Sequence, residues 1–186
     1  MSVVIAAFGG PGIGKSVLAA TLFSKLKKMG RSTEYVSEYA KELAWENNKV
    51  QLEDQLFITA KQNQRQWRLK KAGVDFIVTD SPLLLGLQYK APDYFPNYFE
   101  DMVKEVFLSY NNVNILLKRP ERAFEDHGRI HNEEESKEID KKIKKMLDEY
   151  ELEYLEVEAN DDAADIILNY ALEREKDFLT HNIKEM

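Results

Sequence analysis

Val3-Val4-Ile5-Ala6-Ala7-Phe8-Gly9-Gly10-Pro11-Gly12-Ile13-Gly14-Lys15-Ser16 is the stretch whose reading decides the fold. Val3 to Phe8 is an unbroken apolar run, the pattern of a strand covered on both faces in a parallel sheet. Gly9 to Ser16 fits G-x-x-x-x-G-K-[ST] in full. Leu18, Leu22 and Leu26 follow at helical spacing, and Gly30 is a natural stop. The motif therefore sits after a buried strand and before a helix, the context that its chemistry requires.

That chemistry is the binding of a nucleoside triphosphate. Glycines let the loop curl until several backbone N–H groups aim at one anion. The helix behind the loop adds the positive end of its dipole. Gly10, Pro11, Gly12, Ile13, Gly14, Lys15, Ser16 and Val17 are the expected phosphate-contacting positions. Lys15 supplies a mobile charge for the β- and γ-phosphates, and the Ser16 hydroxyl is an oxygen ligand for Mg²⁺.

Further along, short apolar runs alternate with helical patterns. Thr33 to Ser37 reads as a second strand and Tyr39 to Asn48 as a helix. Leu52 to Lys71 reads as one long helix with Leu52, Leu56, Ala60 and Trp67 along one side. Phe76 to Thr79 is a third strand, followed by a short apolar segment, Leu83 to Leu87. An aromatic stretch spans Tyr89 to Phe99, and a helix is expected from Phe99 to Tyr110. Val113 to Leu117 is a fourth strand. Ile139, Ile143, Met146, Leu147 and Tyr150 mark an amphipathic helix. Leu152 to Val157 alternates like an edge strand, and a closing helix begins near Asp162. Strands separated by helices imply an α/β fold with a mostly parallel sheet and right-handed crossovers. A chain of 186 residues suits a single domain.

Composition narrows the function classes. The 26 Lys+Arg against 33 Asp+Glu give a formal net charge of −7, which disfavours broad nucleic-acid binding through phosphate neutralisation. With no cysteine, disulfides, thiolate metal sites and a cysteine nucleophile are excluded. The apolar N-terminus lacks a basic leader and is too short for a membrane span. A soluble, cytoplasmic protein with no membrane partner is expected.

Two carboxylates end strands. Asp80 follows Phe76–Thr79 at the carboxyl edge, where α/β sheets bind ligands. It is the expected metal-holding carboxylate, or else the cap of the turn with Ser81 and Pro82. Glu38 ends the second strand. There it orients or deprotonates an acceptor hydroxyl, or else stabilises the first turn of the next helix. Gln64 lies on the expected inner stripe of the long helix, where a buried amide needs a partner. A nucleobase edge and a backbone group both qualify. Trp67 is either core or a stacking platform.

Residues 121–136 are polar, without apolar periodicity. Arg122 and Arg129, with Gly128 between them, are expected to close over the transferring phosphoryl group. The alternative is a solvated loop with surface ion pairs. Arg119, nearer the strand end, is expected to meet phosphate from a fixed position.

With these residues in place, the chain resembles the P-loop kinase group that includes thymidylate and deoxynucleoside kinases. It is most similar to nicotinamide riboside kinase-type domains and related phage kinases. The resemblance rests on Gly9–Ser16, Ser37-Glu38-Tyr39-Ala40, Thr79-Asp80-Ser81 and the Arg119–Arg129 region. It implies a three-layer P-loop NTPase fold over residues 1–186, with a five-stranded parallel sheet of order 2-3-1-4-5 and a short lid at 119–136. It implies MgATP as phosphoryl donor and an acceptor near Glu38 and Asp80. The adenine is expected near Asn160 and Asp161. Asp80-Ser81-Pro82 departs from the Asp-Arg of thymidylate kinases and the Glu-Arg-Ser of deoxynucleoside kinases. Without that arginine, an acceptor hydroxyl on a nucleoside-like group is favoured over one carrying its own phosphate. The expected partners are ATP, a nucleoside or nucleotide acceptor, and a second copy of the chain in a homodimer. Two alternatives stand beside this reading. One is a kinase acting on hydroxymethylated pyrimidines in phage DNA. The other is a P-loop ATPase or nucleotide switch acting on a protein partner.

Overall fold

The run Val3–Phe8 forms the central strand, β1, and every residue in it is buried. Alternation explains why no polar residue is tolerated there. Val3, Ile5 and Ala7 face one apolar cluster, and Val4, Ala6 and Phe8 face another. In this computed structural model, which describes residues 1–90, 98–119 and 133–184, β1 is followed by α1 (Lys15–Lys28), β2 (Thr33–Val36), α2 (Tyr39–Trp45) and α3 (Lys49–Glu53). Next come α4 (Gln55–Ala72), β3 (Phe76–Thr79) and a 3-10 helix, Leu83–Gln88. They are followed by α5 (Tyr98–Leu108), β4 (Asn111–Lys118), α6 (Glu133–Glu149), β5 (Tyr154–Glu158) and α7 (Ala163–Lys184).

The five strands form one sheet of order β2-β3-β1-β4-β5, and every pairing is parallel. This is the order that the family resemblance implies. One sheet face packs on α1 and α7 through Leu18, Leu22, Leu26, Ile167 and Ala171. The other packs on the 3-10 helix, α5 and α6 through Leu84, Val103, Phe107, Ile143 and Leu147. The helices thus cover both faces, giving the three layers of an α/β fold.

The long helix expected over Leu52–Lys71 is instead two helices. Asp54 is both the C-cap of α3 and the N-cap of α4, and its carboxylate accepts from the Phe57 N–H at 2.9 Å. An aspartate in that role starts a new helix, because its side chain replaces the missing backbone acceptor. At the other end, Gly73 closes α4 with φ of 73°, a left-handed C-cap. The expected inner stripe is also displaced. The buried positions of α4 are Gln55, Ile58, Thr59, Gln62 and Gln66, whereas Leu56 is 38% exposed and Trp67 45% exposed. Among the described residues no helix is long and apolar enough to cross a membrane.

Candidate active site

Register brings the site together. Val36 of β2 and Ala6 of β1 both pair with Thr79 of β3. The residues just beyond these strands, Glu38, Asp80 and the glycine loop, therefore emerge at one carboxyl edge. β4 and β5 end beside them, since Phe8 pairs with Leu116 and Lys118 with Glu158. Arg119 follows β4 directly, and Asn160 lies two residues beyond the end of β5.

The loop turns into α1 at Gly14, whose φ of 104° is a backbone state that L side chains rarely adopt. Lys15 Nζ donates to the carbonyls of Gly9 at 2.7 Å and Gly10 at 2.9 Å. These bonds fold the lysine back over the loop, so its ammonium lies at the cleft floor. Desolvation there holds its pKa below the ordinary lysine value. The nearby charges of Glu38, Asp80 and Asp140 oppose that drop, and Arg119 reinforces it.

Glu38 is the N-cap residue of α2, yet its side chain makes no capping hydrogen bond. The carboxylate is directed instead into the field of Lys15 and Asp80. Burial raises its pKa above the ordinary value. Asp80 adds to the rise, while Lys15 and Lys41 resist it. A carboxyl group poised in this way suits proton acceptance more than helix capping.

Asp80 is 3% exposed. Its Oδ2 accepts from the Tyr35 hydroxyl at 2.7 Å, and its Oδ1 is buried without a protein partner. A buried carboxylate oxygen left in this way is costly unless something else satisfies it. The Ser16 side chain lies close enough to the Tyr35 hydroxyl to lower its pKa. One phenol thus stands beside both residues expected to hold a metal. Desolvation, then Asp80, pushes its own pKa well up. The hydroxyl of Ser16 and the orphan oxygen of Asp80 are hard donors that fit Mg²⁺, which favours a few oxygen ligands plus water and phosphate. No group of three or more acidic or histidine side chains disposed to hold a metal occurs among the described residues. A magnesium ion here would therefore depend on the nucleotide's own oxygens.

Gln62, which the sequence analysis passed over, holds Glu38 in place. It is 3% exposed. Its Oε1 accepts from the Tyr39 N–H at 3.1 Å and its Nε2 donates to the Ser37 carbonyl at 3.3 Å. The amide therefore clasps the backbone on both sides of Glu38. Gln64 and Trp67 lie on the other side of α4. Gln64 is exposed and accepts from Lys61 at 3.5 Å. Trp67 packs beneath the ammonium groups of Lys70 and Lys71. Neither reaches the cleft. Tyr89 does, although its ring is partly exposed. Desolvation, with the charges of Glu38 and Asp140, pushes its hydroxyl up to about 12.

Beside the loop lies a cavity of about 200 Å³ lined by Ile13, Gly14, Val17, Leu117, Asn160 and Asp161, among others. Asn160 Oδ1 accepts from the Asp162 N–H at 3.1 Å, which shapes the turn at its rim. Arg119 does not stand alone at its strand end. Its Nε donates to Asp140 Oδ2 at 2.9 Å and its Nη2 to the Pro11 carbonyl at 3.1 Å. Arg122 and Arg129 fall outside the described residues.

Comparisons with known proteins agree with this architecture. Residues 4–164 match the model of a family described as an AAA domain. Among solved structures, a deoxyadenosine kinase from M. mycoides with bound dATP matches with a TM-score of 0.56 and 20% identity. The match covers 90% of this chain and 98% of that one. At that identity the likeness is one of fold. No curated protein matches significantly.

Proposed function

The chain belongs to the AAA-domain family, and on that premise we propose that it is a P-loop kinase that transfers the γ-phosphoryl group of MgATP to a hydroxyl of a nucleoside-like acceptor. The observation that carries this reading is the meeting of three features at one sheet edge. They are the glycine loop with Lys15, the half-buried Glu38 and Asp80 with its unpartnered oxygen. An ATPase needs the first and third. The second, held by Gln62 and perturbed by burial, is what an acceptor hydroxyl needs. The deoxyadenosine kinase of like fold acts on a nucleoside, which makes that class the first to test.

In this mechanism the loop N–H groups, Ser16 and Lys15 hold the triphosphate. Lys15 offsets charge that grows on the β- and γ-oxygens as the bond to the leaving oxygen breaks. Magnesium, held through Ser16 and Asp80, supplies further charge neutralisation when bound. The acceptor oxygen attacks the γ-phosphorus, and Glu38 takes the proton that it loses. The products are ADP and a phosphorylated acceptor. Among the described residues, the acceptor side presents carboxylates and phenols, namely Glu38, Asp80, Tyr35 and Tyr89, around the ammonium of Lys15, with Lys41 also within electrostatic reach of Glu38. That surface favours an uncharged acceptor over one that already bears phosphate.

The test is ADP formation from ATP against a panel of ribo- and deoxynucleosides, nucleoside monophosphates and nicotinamide riboside. Stimulation by a nucleoside is expected. Turnover that is indifferent to every acceptor would overturn the kinase reading in favour of an ATPase.

A further inference from the structure

The first turns of α6 lie directly against the glycine loop, and one side chain ties them to it. Asp140 Oδ1 accepts from the Gly10 N–H at 2.6 Å, a short bond of the charge-assisted kind. Its Oδ2 accepts from Arg119 Nε at 2.9 Å, and Arg119 Nη2 reaches both that carboxylate and the Pro11 carbonyl. The carboxylate and the guanidinium therefore hold two consecutive residues of the loop, one by its N–H and one by its C=O. Neither charged group is well exposed, at 15% for the Arg119 side chain and 22% for Asp140. This is a packed junction and not a loose surface ion pair, which would be worth little.

Gly10 is part of the same junction. A Cβ built there would stand 2.7 Å from Asp140 Oδ1 and 2.7 Å from the Ser136 carbonyl. The second of these is backbone and has no rotamer with which to yield. The loop thus approaches α6 as closely as only glycine permits.

Resting on the kinase reading of the same site, we propose that Asp140 is a positioning residue for nucleotide binding. It fixes the Gly10–Pro11 half of the loop and the Arg119 guanidinium in one clamp, so that the phosphate-facing half is presented already shaped. Electrostatics alone points the other way. Asp140 is a negative charge beside a triphosphate site, so removing it would strengthen attraction for the nucleotide. The two effects thus predict opposite signs, and measurement separates them.

The experiment is the affinity of the full-length protein for MgATP and for a non-hydrolysable ATP analogue, without acceptor, in the wild type, Asp140→Ala and Asp140→Asn. Positioning predicts that Asp140→Ala weakens affinity about 10- to 100-fold, the range for a lost hydrogen bond to a charged group. Asp140→Asn should recover part of the loss, because its amide oxygen still accepts from Gly10. In turnover the KM for ATP should rise while the KM for the acceptor stays near wild type, a split that general loss of structure would not produce. Unchanged or tighter nucleotide binding in both variants would overturn the proposal. If Asp140→Ala does not fold, Asp140→Asn with Gly10→Ala decides. Asp140→Asn should weaken binding less than Gly10→Ala, and wild-type affinity in both sinks the clamp. Binding is read without acceptor, so failure of the kinase reading would appear separately, as absent transfer with these affinity changes intact.

Discussion

Replacing Glu38 with glutamine removes a charge and keeps the shape, and the structure ties two opposite consequences to that one change. The first is loss of transfer. If Glu38 accepts the proton from the acceptor, Glu38→Gln should lower kcat by about 10²- to 10⁴-fold, the usual yield of a positioned general base. That corresponds to about 3–5 kcal/mol at 1.36 kcal/mol per decade. Binding of an ATP analogue should persist, since the phosphate-holding groups are untouched. The second consequence is a gain in stability. Burial raises the Glu38 pKa above the ordinary 4.5, so the folded protein prefers the neutral acid. A group with a raised folded pKa contributes stability that is present at low pH and lost as pH climbs through the raised value. At neutral pH the ionised carboxylate thus works against the fold, and glutamine relieves it. The urea midpoint of Glu38→Gln should exceed that of the wild type at pH 7, with the margin shrinking as pH falls through the raised folded value towards 4.5 and vanishing below it. In wild-type turnover the acid limb of kcat/KM should fall above 4.5, and it should be absent from the variant's residual rate. Near-normal transfer by Glu38→Gln would refute the assignment. A midpoint lower than wild type at pH 7 would refute the burial argument.

Four further outcomes are expected. Lys15→Ala should cut transfer by at least about 100-fold, since it removes a preorganised charge from the transferring group; label transfer from γ-labelled ATP measures this, and retained transfer would contradict the site. Tyr35→Phe should leave both oxygens of Asp80 without a protein donor, costing about 1–3 kcal/mol in urea unfolding and raising the Mg²⁺ concentration for half-maximal turnover. An unchanged magnesium requirement would separate Tyr35 from the metal. Gln62→Leu should release the backbone around Glu38, lowering stability by about 1–3 kcal/mol and lowering kcat while ATP affinity holds. Trp67→Ala should change stability by less than about 0.5 kcal/mol, as surface substitutions usually do, with the acceptor KM unaltered; a raised acceptor KM would contradict its outward placement.

The parts of the site that were legible in the sequence are those whose chemistry is local. Gly9–Ser16 is a contiguous motif between a strand and a helix, so eight residues carry both the fold and the candidate phosphate site. Glu38 and Asp80 were legible because a carboxylate at a strand's end is placed by parallel topology before any side chain is considered. The α4 face was misread for a physical reason. Of its five buried positions all but Ile58, namely Gln55, Thr59, Gln62 and Gln66, are polar, so a search for an apolar stripe selects Leu56 and Trp67 instead. An amide repeat at helical spacing beside a strand-end acid is the signal that would have found Gln62.

Asp140 left no such signal. It sits among lysines on an amphipathic helix, at a position that reads as solvated surface. Its bond to Gly10 spans 130 residues, and no periodicity reports a contact of that kind. One trace does remain, in Gly10. The motif requires glycine at Gly9 and Gly14 and leaves position 10 open. The loop's own geometry therefore does not account for a glycine there. The Ser136 carbonyl and the Asp140 carboxylate do, because they occupy the space that a Cβ would need. A glycine that the motif does not demand thus marks where a distant element presses on the loop. For this chain that element is α6, and Gly10→Ala should perturb nucleotide binding through α6, an effect that Asp140→Ala should relieve only in part in the double variant, because the Ser136 carbonyl remains. Fully additive losses in that double-variant cycle would mean that the two residues act independently.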